Sequence, residues 1–228
     1  MPGSNCITGT FNFRKVTNLD VIKPSYEIYN PKTPEEGLGI LRMIEQAART
    51  CYKSEDKITE DSAEKFVKML RDRKHHAMLE FGNMTVKIVT DRGITHELVR
   101  HRICSFAQES TRYCDYGGKG ITVVMPGDIE VADGVKGQEG RRVWTLAMEQ
   151  AQRNYNSLRD LGYTPQTARS VLPTCLKTEI VISCNVREWM HIFSMRTPIT
   201  AHPDMRALMI QLWEEASSLI PIIFADLN

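Results

Sequence analysis

A cluster of cationic and hydroxyl side chains within residues 96–113 is the part of the sequence best suited to chemistry. Arg100, His101 and Arg102 form a triplet, and Ser110 follows after seven further residues. The planar guanidinium fork of arginine donates two parallel hydrogen bonds, which matches the oxygens of a phosphate or carboxylate. This spacing of cations and hydroxyls therefore indicates a site for an anionic ligand.

The geometry of a helix restricts how that ligand could bind. A helix is predicted over roughly 94–103, where Arg100 and Arg102 would point about 200° apart, since each residue turns about 100°. That separation favours an elongated ligand or two ligands meeting here, with Thr111 and Arg112 as a second binding group. The alternative is a solvated basic face with weak ion pairs, which is the more frequent explanation for an isolated triplet.

Further candidate residues follow later in the chain. Arg169 lies on a short predicted helix, and Asn185, Arg187, His191 and Arg196 follow a predicted strand. Arg187 and His191 are four residues apart and share a helical face. A strand end that leads into a helix is a common ligand position in sheet proteins. Asn185 could instead cap the helix, and His191 could be a partly buried histidine.

Other kinds of catalytic site find less support. The pair His75 and His76 has no third metal ligand nearby, and adjacent side chains point apart, so no metal is expected. The sequence lacks the glycine-rich nucleotide loops and the nucleophilic serine elbow. Cys104 falls at the predicted helix, and free cysteine is most often a core residue, which argues against a nucleophilic role.

Composition limits the class of protein. The chain has 228 residues, 42% of them hydrophobic, and 29 basic against 28 acidic side chains. This near balance argues against a protein that coats polyanions, so no nucleic-acid partner is expected. No apolar run approaches the about 20 residues needed to cross a bilayer, and the N-terminus lacks a signal peptide. We therefore expect a cytoplasmic protein without membrane contact, whose six cysteines stay reduced.

Periodicity and capping residues predict the elements that must position these side chains. Strands are predicted at 83–90, 121–125 and 178–184, with an irregular lead over 1–32 and a surface loop at 127–140. Helices are predicted to begin at Thr33-Pro34, to span 60–73, 94–103, 143–162 and 186–195, and to begin again at Thr164-Pro165 and Pro203. We expect an α/β or α+β fold with a small, mostly antiparallel central sheet flanked by helices, in a single domain over residues 1–228.

The motif around the triplet resembles one family. Arg-His-Arg, seven residues and Ser110, continued by Thr111-Arg112-Tyr113, is similar to the motif of flavin-dependent thymidylate synthases. The resemblance spans roughly residues 35–220. It also includes His75-x4-Glu80, Arg169-x2-Leu172-Pro173, Asn185-x-Arg187 and Arg196.

The resemblance implies a homotetramer whose active sites are each built from several subunits. Such enzymes bind FAD, dUMP, methylenetetrahydrofolate and NADPH, and they methylate C5 of dUMP to give dTMP. The reduced flavin supplies the hydride, and no enzyme cysteine attacks C6 of the uracil. The protein would bring these ligands together and tune their charge.

The resemblance also implies roles for individual residues. Arg196 would stabilise the uracil anion and is the candidate catalytic residue. Flavin contacts are implied for His75, Arg100, His101, Arg102, Gln108, Asn185, Arg187 and His191. Contacts with dUMP are implied for Glu97, Leu98, Val99, Arg100, Gln108, Glu109, Ser110, Thr111, Arg112, Arg169 and Arg196. Departures from the family pattern occur at Ala77, Ala107, Gln108 and His191.

Two other functions remain open from the residues alone. The same arginines could bind phosphates in a non-catalytic nucleotide- or RNA-binding module. Aromatic residues make up only 7% of the chain, and the paired aromatic motif of common RNA-binding sheets is missing. A metal hydrolase using His75 and His76 is the third candidate.

Overall fold

The protein is described here by a computed structural model that covers residues 19–225. The strands are β1 Asp20–Ile22, β2 Ser25–Asn30, β3 Asn83–Asp91, β4 Ser105–Gln108, β5 Thr122–Val124 and β6 Lys177–Asn185. The helices are α1 Pro34–Thr50, α2 Ser62–Asp72, α3 Arg92–Leu98, α4 Gly127–Glu130, α5 Gly134–Asp160, α6 Pro165–Ala168, α7 Val186–Arg196, α8 Pro203–Leu219 and α9 Pro221–Phe224. This mixture of helices and strands agrees with the predicted fold class.

A four-stranded antiparallel sheet lies at the centre, with the strand order β2-β3-β6-β4. Its two long strands, β3 and β6, pair over their full length, from Asn83 opposite Asn185 to Asp91 opposite Lys177. Alternate residues of both strands are buried, as the period-two pattern predicts. One face of the sheet is therefore core, while the other, which carries Lys87, remains partly exposed.

Helices cover the buried face of the sheet. Apolar residues of α1, α2, α7, α8 and α9 form one core cluster with those of β3 and β6. The predicted start of α1 is confirmed, since the Thr33 hydroxyl accepts a hydrogen bond from the Glu36 amide at 3.2 Å. Trp189 of α7 is buried, and its indole N–H donates to the Met84 carbonyl of β3 at 3.0 Å. That bond fixes α7, the helix that ends at Arg196, against the sheet.

A smaller apolar cluster lies beside the main core. Strands β1 and β5 pair in parallel, and Ile121 and Val123 pack there against Trp144 and Met148 of α5. The expected extended pieces of the N-terminal lead correspond to β1 and β2 within the described residues. Residues 1–18 of that lead, including Cys6, lie outside the described part of the chain. No helix within residues 19–225 is both long enough and apolar enough to cross a bilayer.

The predicted helix over 94–103 is wrong in its second half. Helix α3 ends at Leu98, and turns then lead into β4, an edge strand that pairs with β6. The pairing partner lies far along the chain, so no local pattern indicated it. Arg100 and Arg102 therefore lie in turns, so they do not diverge around a helix as predicted. Cys104 precedes an edge strand and is not part of a helix.

The predicted surface loop over 127–140 is also wrong. This stretch contains α4 and the first turns of α5. The loop was predicted from the glycines of this stretch, but Gly137 allows a close approach instead, because a Cβ there would lie 1.9 Å from the Ala132 carbonyl oxygen. Arg141 donates to the carbonyl oxygens of Ile129, Glu130 and Ala132, which satisfies the end of α4.

Candidate active site

Helix α3 connects the parts of the candidate site. The Asp91 side chain caps it by accepting a hydrogen bond from the Ile94 amide at 2.8 Å. Arg92 and His96 on α3 line a cavity that is called the second cavity below. His101, in the turn after α3, contacts the ring of His191, which lines the cavity called the first. At about 1.5 Å per residue, this seven-residue helix is roughly 10 Å long.

Removing the cap of α3 should loosen this connection. We expect Asp91→Ala to lower the free energy of unfolding by about 1 kcal/mol, the usual loss for an N-cap. Asp91→Asn can still accept from the Ile94 amide and should lose less. Urea unfolding monitored by circular dichroism would measure both. Equal losses in the two variants would contradict the capping role.

Arg196 is held at the C-terminal end of α7 by groups from the region of α3. Its guanidinium donates to the Glu97 carboxylate at 2.7 Å and to the Glu97 carbonyl oxygen at 3.1 Å. Its Nε donates to Nε2 of His101 at 3.1 Å. Three hydrogen bonds thus fix the plane of a guanidinium whose side chain remains 18% exposed. Such a group can present a fixed positive charge to a ligand.

His101 is neutral in this arrangement. Burial, the positive charge of Arg196 and the proximity of His191 lower the pKa of His101 to about 4. Because Nε2 accepts from Arg196, the proton of the neutral ring lies on Nδ1, which is 3.6 Å from a Glu188 carboxylate oxygen. That carboxylate favours the charged ring, but burial and the closer guanidinium outweigh it. His101 therefore acts as a hydrogen-bond acceptor that orients Arg196.

The structure also brings together three groups that could bind a metal. His101, Glu188 and His191 each place one ligand atom within 4.8 Å of the others. The sequence analysis missed this trio, because Glu188 was not considered. A cation here would sit close to the Arg196 guanidinium, and His101 could offer Nδ1 only by moving its proton to the nitrogen that faces Arg196. The charge and the proton position both disfavour a metal.

The first cavity contains three of the predicted flavin ligands. It has a volume of about 580 Å³, and Asn185, Arg187 and His191 line it. Asn185 also caps α7, accepting from the Glu188 amide at 2.9 Å, so the capping alternative is confirmed. The other lining residues, which the sequence analysis did not select, are His76, Glu80, Ile103, Glu188, Met190 and Ser194.

Arg100 and Arg102 are exposed in the turns after α3. Within residues 19–225, neither guanidinium makes a hydrogen bond, an ion pair or a ring contact. Arg187, by contrast, pairs with Glu80 at the rim of the first cavity. Two unpaired guanidiniums so close in sequence form a region ready to bind an anion.

The second cavity contains predicted dUMP ligands. It has a volume of about 470 Å³, and Thr111 and Arg169 line it together with Arg92 and His96. The Arg169 guanidinium donates to the Thr111 hydroxyl at 3.2 Å. Sequence reasoning missed Arg92 and His96, although their position just after strand β3 could have suggested them.

Arg112 and Ser110 lie beside this second group. The Arg112 Nε donates to the side-chain oxygen of Gln166 at 2.9 Å, and Gln166 lines the second cavity. The Ser110 hydroxyl accepts from the Arg112 amide at 3.3 Å. These local bonds hold the loop after β4 near the cavity.

Glu109 and Gln108 are engaged in hydrogen bonds within the chain. The Glu109 carboxylate accepts from the Tyr116 hydroxyl at 2.8 Å and from Lys177 at 3.1 Å. Burial and that carboxylate raise the pKa of Tyr116 above its usual range. The Gln108 amide donates to the Thr95 hydroxyl at 2.8 Å. Glu109 also lines a cavity of about 480 Å³ on the partly exposed side of the sheet, which is distinct from the second cavity.

Three other predicted residues line none of the cavities described above. The Leu98 side chain is fully buried in the main core, so only its backbone could contact a ligand. Val99 is exposed at the end of α3 and is not among the residues that line these cavities. His75 is exposed, and its neighbour His76 lines the first cavity instead.

Comparisons with known proteins identify the family. A family model described as thymidylate synthase complementing protein matches residues 38–222. A flavin-dependent thymidylate synthase of Geobacter sulfurreducens is 32% identical over 187 residues, which cover 79% of this chain and 78% of that protein. The chain belongs to the flavin-dependent thymidylate synthase family. The resemblance inferred from the sequence motif is therefore confirmed.

Other similar proteins agree with this assignment. A flavin-dependent thymidylate synthase of Corynebacterium glutamicum is 31% identical over 206 residues, covering 82% of this chain and 80% of that protein. Among solved structures, a UMP/dUMP methylase, PolB, of Streptomyces cacaoi bound to 5-bromo-dUMP has a TM-score of 0.71 and 25% identity. It covers 91% of this chain and 96% of its own. The chain is thus a flavin-dependent thymidylate synthase by family, and its fold matches that of a pyrimidine methylase.

Proposed function

We propose that this enzyme methylates dUMP to dTMP, with methylenetetrahydrofolate as the carbon donor and FAD, reduced by NADPH, as the hydride carrier. No cysteine of the enzyme would attack the uracil. The observation that carries the proposal is that residues predicted to bind flavin and residues predicted to bind dUMP line two different cavities. Three predicted flavin ligands line one cavity, two predicted dUMP ligands line another, and α3 connects the two regions.

The second cavity has the chemistry of a nucleotide phosphate site. Arg92 and Arg169 bring two guanidiniums to its wall, and the Thr111 hydroxyl adds a hydrogen-bonding group. Two cations and a hydroxyl can satisfy a dianionic phosphate. Arg169 and Thr111 would exchange their mutual bond for bonds to the phosphate. Ser110 and Arg112, held in the adjoining loop, would complete the wall.

Arg196 would act on the uracil ring. Its guanidinium is held in one orientation by hydrogen bonds to Glu97 and His101. Little reorganisation of this group is therefore needed when negative charge develops on the uracil ring. A guanidinium at the uracil carbonyls favours the electron-rich anion, in which C5 is the better nucleophile. Glu97 and His101 are then positioning residues for this step.

The donors near the first cavity fit FAD. Arg100 and Arg102 are unpaired cations suited to the pyrophosphate, and Ile103 and Met190 offer apolar surface beside the polar Asn185. Bound FAD, once reduced by NADPH, would supply the hydride that completes the methyl group. The chain's contribution is to bind the cofactor, orient it next to dUMP and exclude water.

We also propose that the enzyme works as a homotetramer with shared active sites. The uncovered face of the sheet carries partly exposed residues of β3 and β6 such as Val181, which lines the cavity beside Glu109. Contact with another subunit at these surfaces would enclose the ligands. Sedimentation equilibrium of the FAD-loaded protein would test the assembly, and a monomer would contradict it.

The decisive experiment combines an absorption spectrum of the protein with an assay of tritium release from labelled dUMP. The purified protein should show a flavin absorption spectrum as isolated or after incubation with FAD. With NADPH and methylenetetrahydrofolate it should release tritium from dUMP labelled at C5, because methylation replaces that hydrogen. Leaving out either NADPH or methylenetetrahydrofolate should abolish the release of tritium.

Two results would contradict the proposal. A protein that stays colourless with added FAD would exclude the cofactor. Binding to single-stranded RNA that strengthens with polymer length and falls steeply with salt, without tritium release, would instead favour the RNA-binding alternative.

A further inference from the structure

Two cysteines face each other where β4 begins and β6 ends. Ser105 of β4 pairs with Ser183 of β6 in antiparallel register. One step back along β4 and one step forward along β6 places Cys104 opposite Cys184. Both side chains point to the helix-covered side of the sheet and pack with the main core.

The hydrogen-bond pattern of the strand pair fixes the spacing of these two residues. The Glu109 amide donates to the carbonyl oxygen of the directly opposite Glu179 at 2.9 Å. Hydrogen-bonded and non-hydrogen-bonded pairs alternate along antiparallel strands, so Cys104 and Cys184 form a non-hydrogen-bonded pair. In such a pair the Cα atoms are about 4.5 Å apart. A disulfide requires a Cα separation of about 4.4 to 6.8 Å, so the backbone already lies within range.

The two thiols are also in contact and differ in reactivity. The proximity of the two sulfurs lowers the pKa of Cys104, and the same contact together with burial raises the pKa of Cys184. Cys104 is partly exposed and Cys184 is buried. The thiolate is the reactive form, so Cys104 is the residue that an oxidant would meet first.

We propose that Cys104 and Cys184 are a redox modification site, at which a peroxide forms a reversible disulfide within one chain. The Cys104 thiolate attacks one peroxide oxygen, the O–O bond breaks, and hydroxide leaves, which gives a sulfenic acid. The Cys184 sulfur then attacks the sulfenic sulfur as its own proton and the hydroxyl group leave as water. Two thiols are oxidised by two electrons in total, and hydrogen peroxide is reduced to two waters.

The disulfide would stabilise an exposed edge of the candidate site. β4 is a short edge strand that is paired only with β6 among the described residues. Ile103 and Asn185, the neighbours of the two cysteines, both line the first cavity. A covalent bond between the strands would suppress fraying of β4 and keep these two cavity residues together.

Mass spectrometry of the full protein tests the proposal directly. The wild-type protein is treated with hydrogen peroxide, its remaining thiols are alkylated, and the digest is searched for linked peptides. We expect a Cys104–Cys184 peptide in monomeric chains, lost after dithiothreitol. Cys184→Ala should abolish it, whereas Cys51→Ser should not change its yield, because Cys51 is exposed and lies outside this pair.

Hydrogen exchange supplies a second readout that does not depend on digestion. The backbone amides of Ser105 and Ala107 should exchange several-fold more slowly in the oxidised protein than in the reduced one, with no such change in Cys184→Ala. Peroxide that converts Cys104 to sulfinic acid in the wild type without a linked peptide would overturn the proposal. So would a linked peptide that joins Cys104 to any other cysteine.

Discussion

Replacing Arg196 with alanine is expected to lower kcat by about 100-fold to 1,000-fold, the usual loss when one preorganised charge partner of a transition state is removed. The structure explains the size of this effect. Arg196 donates three hydrogen bonds to Glu97 and His101, so its guanidinium would need little reorganisation during the proposed reaction. Bound FAD should remain, because Arg196 lines none of the cavities described for this chain. Tritium release from labelled dUMP would measure kcat, and the flavin spectrum would measure occupancy.

Two further variants separate catalysis from folding. Arg196→Lys keeps the charge but cannot reproduce the fork that meets both Glu97 and His101, so an intermediate loss is expected. Arg142→Ala is the matched control, since Arg142 is an exposed arginine that pairs with Glu139 on α5. Its kcat should equal that of the wild type. Wild-type turnover in Arg196→Ala would remove Arg196 from the mechanism, and loss of flavin in that variant would assign it to binding.

Local signals in the sequence predicted the long elements well. The alternation of apolar residues gave β3 and β6, because a strand with one buried face must alternate. The Thr33-Pro34 start of α1 is a local capping pattern, and the structure contains that cap. The motif from Arg100 to Tyr113 identified the family without any knowledge of the fold.

Features that depend on distant partners could not be predicted. β4 has only four residues and exists because β6 offers an edge. The contact between Arg196 and Glu97 joins residues 99 positions apart, and no periodicity marks such a pair. Tertiary packing, not local propensity, decides these positions.

Acid should destabilise the enzyme through His101. Its pKa lies at about 4 in the folded protein, against 6.5 for an ordinary histidine. Between these values the unfolded chain binds a proton that the folded chain does not, so the free energy of unfolding falls as the pH falls. The slope approaches about 1.4 kcal/mol per pH unit, and the total loss approaches about 3 kcal/mol. Above the ordinary histidine value this contribution to stability is fully present.

Urea unfolding at a series of pH values would isolate the contribution of His101. His101→Gln should be less stable at neutral pH, since Arg196 loses its ring acceptor, but its stability should fall less steeply in acid. The difference in slope between wild type and variant is the readout, because carboxylates elsewhere in the chain contribute equally to both. His75→Gln is the matched control for replacing a histidine by glutamine, because His75 is exposed and lies outside the contact with Arg196. Parallel curves for wild type and His101→Gln would mean that the folded protein binds a proton at His101 as readily as the unfolded chain. His101 would then not be held neutral as the acceptor for Arg196.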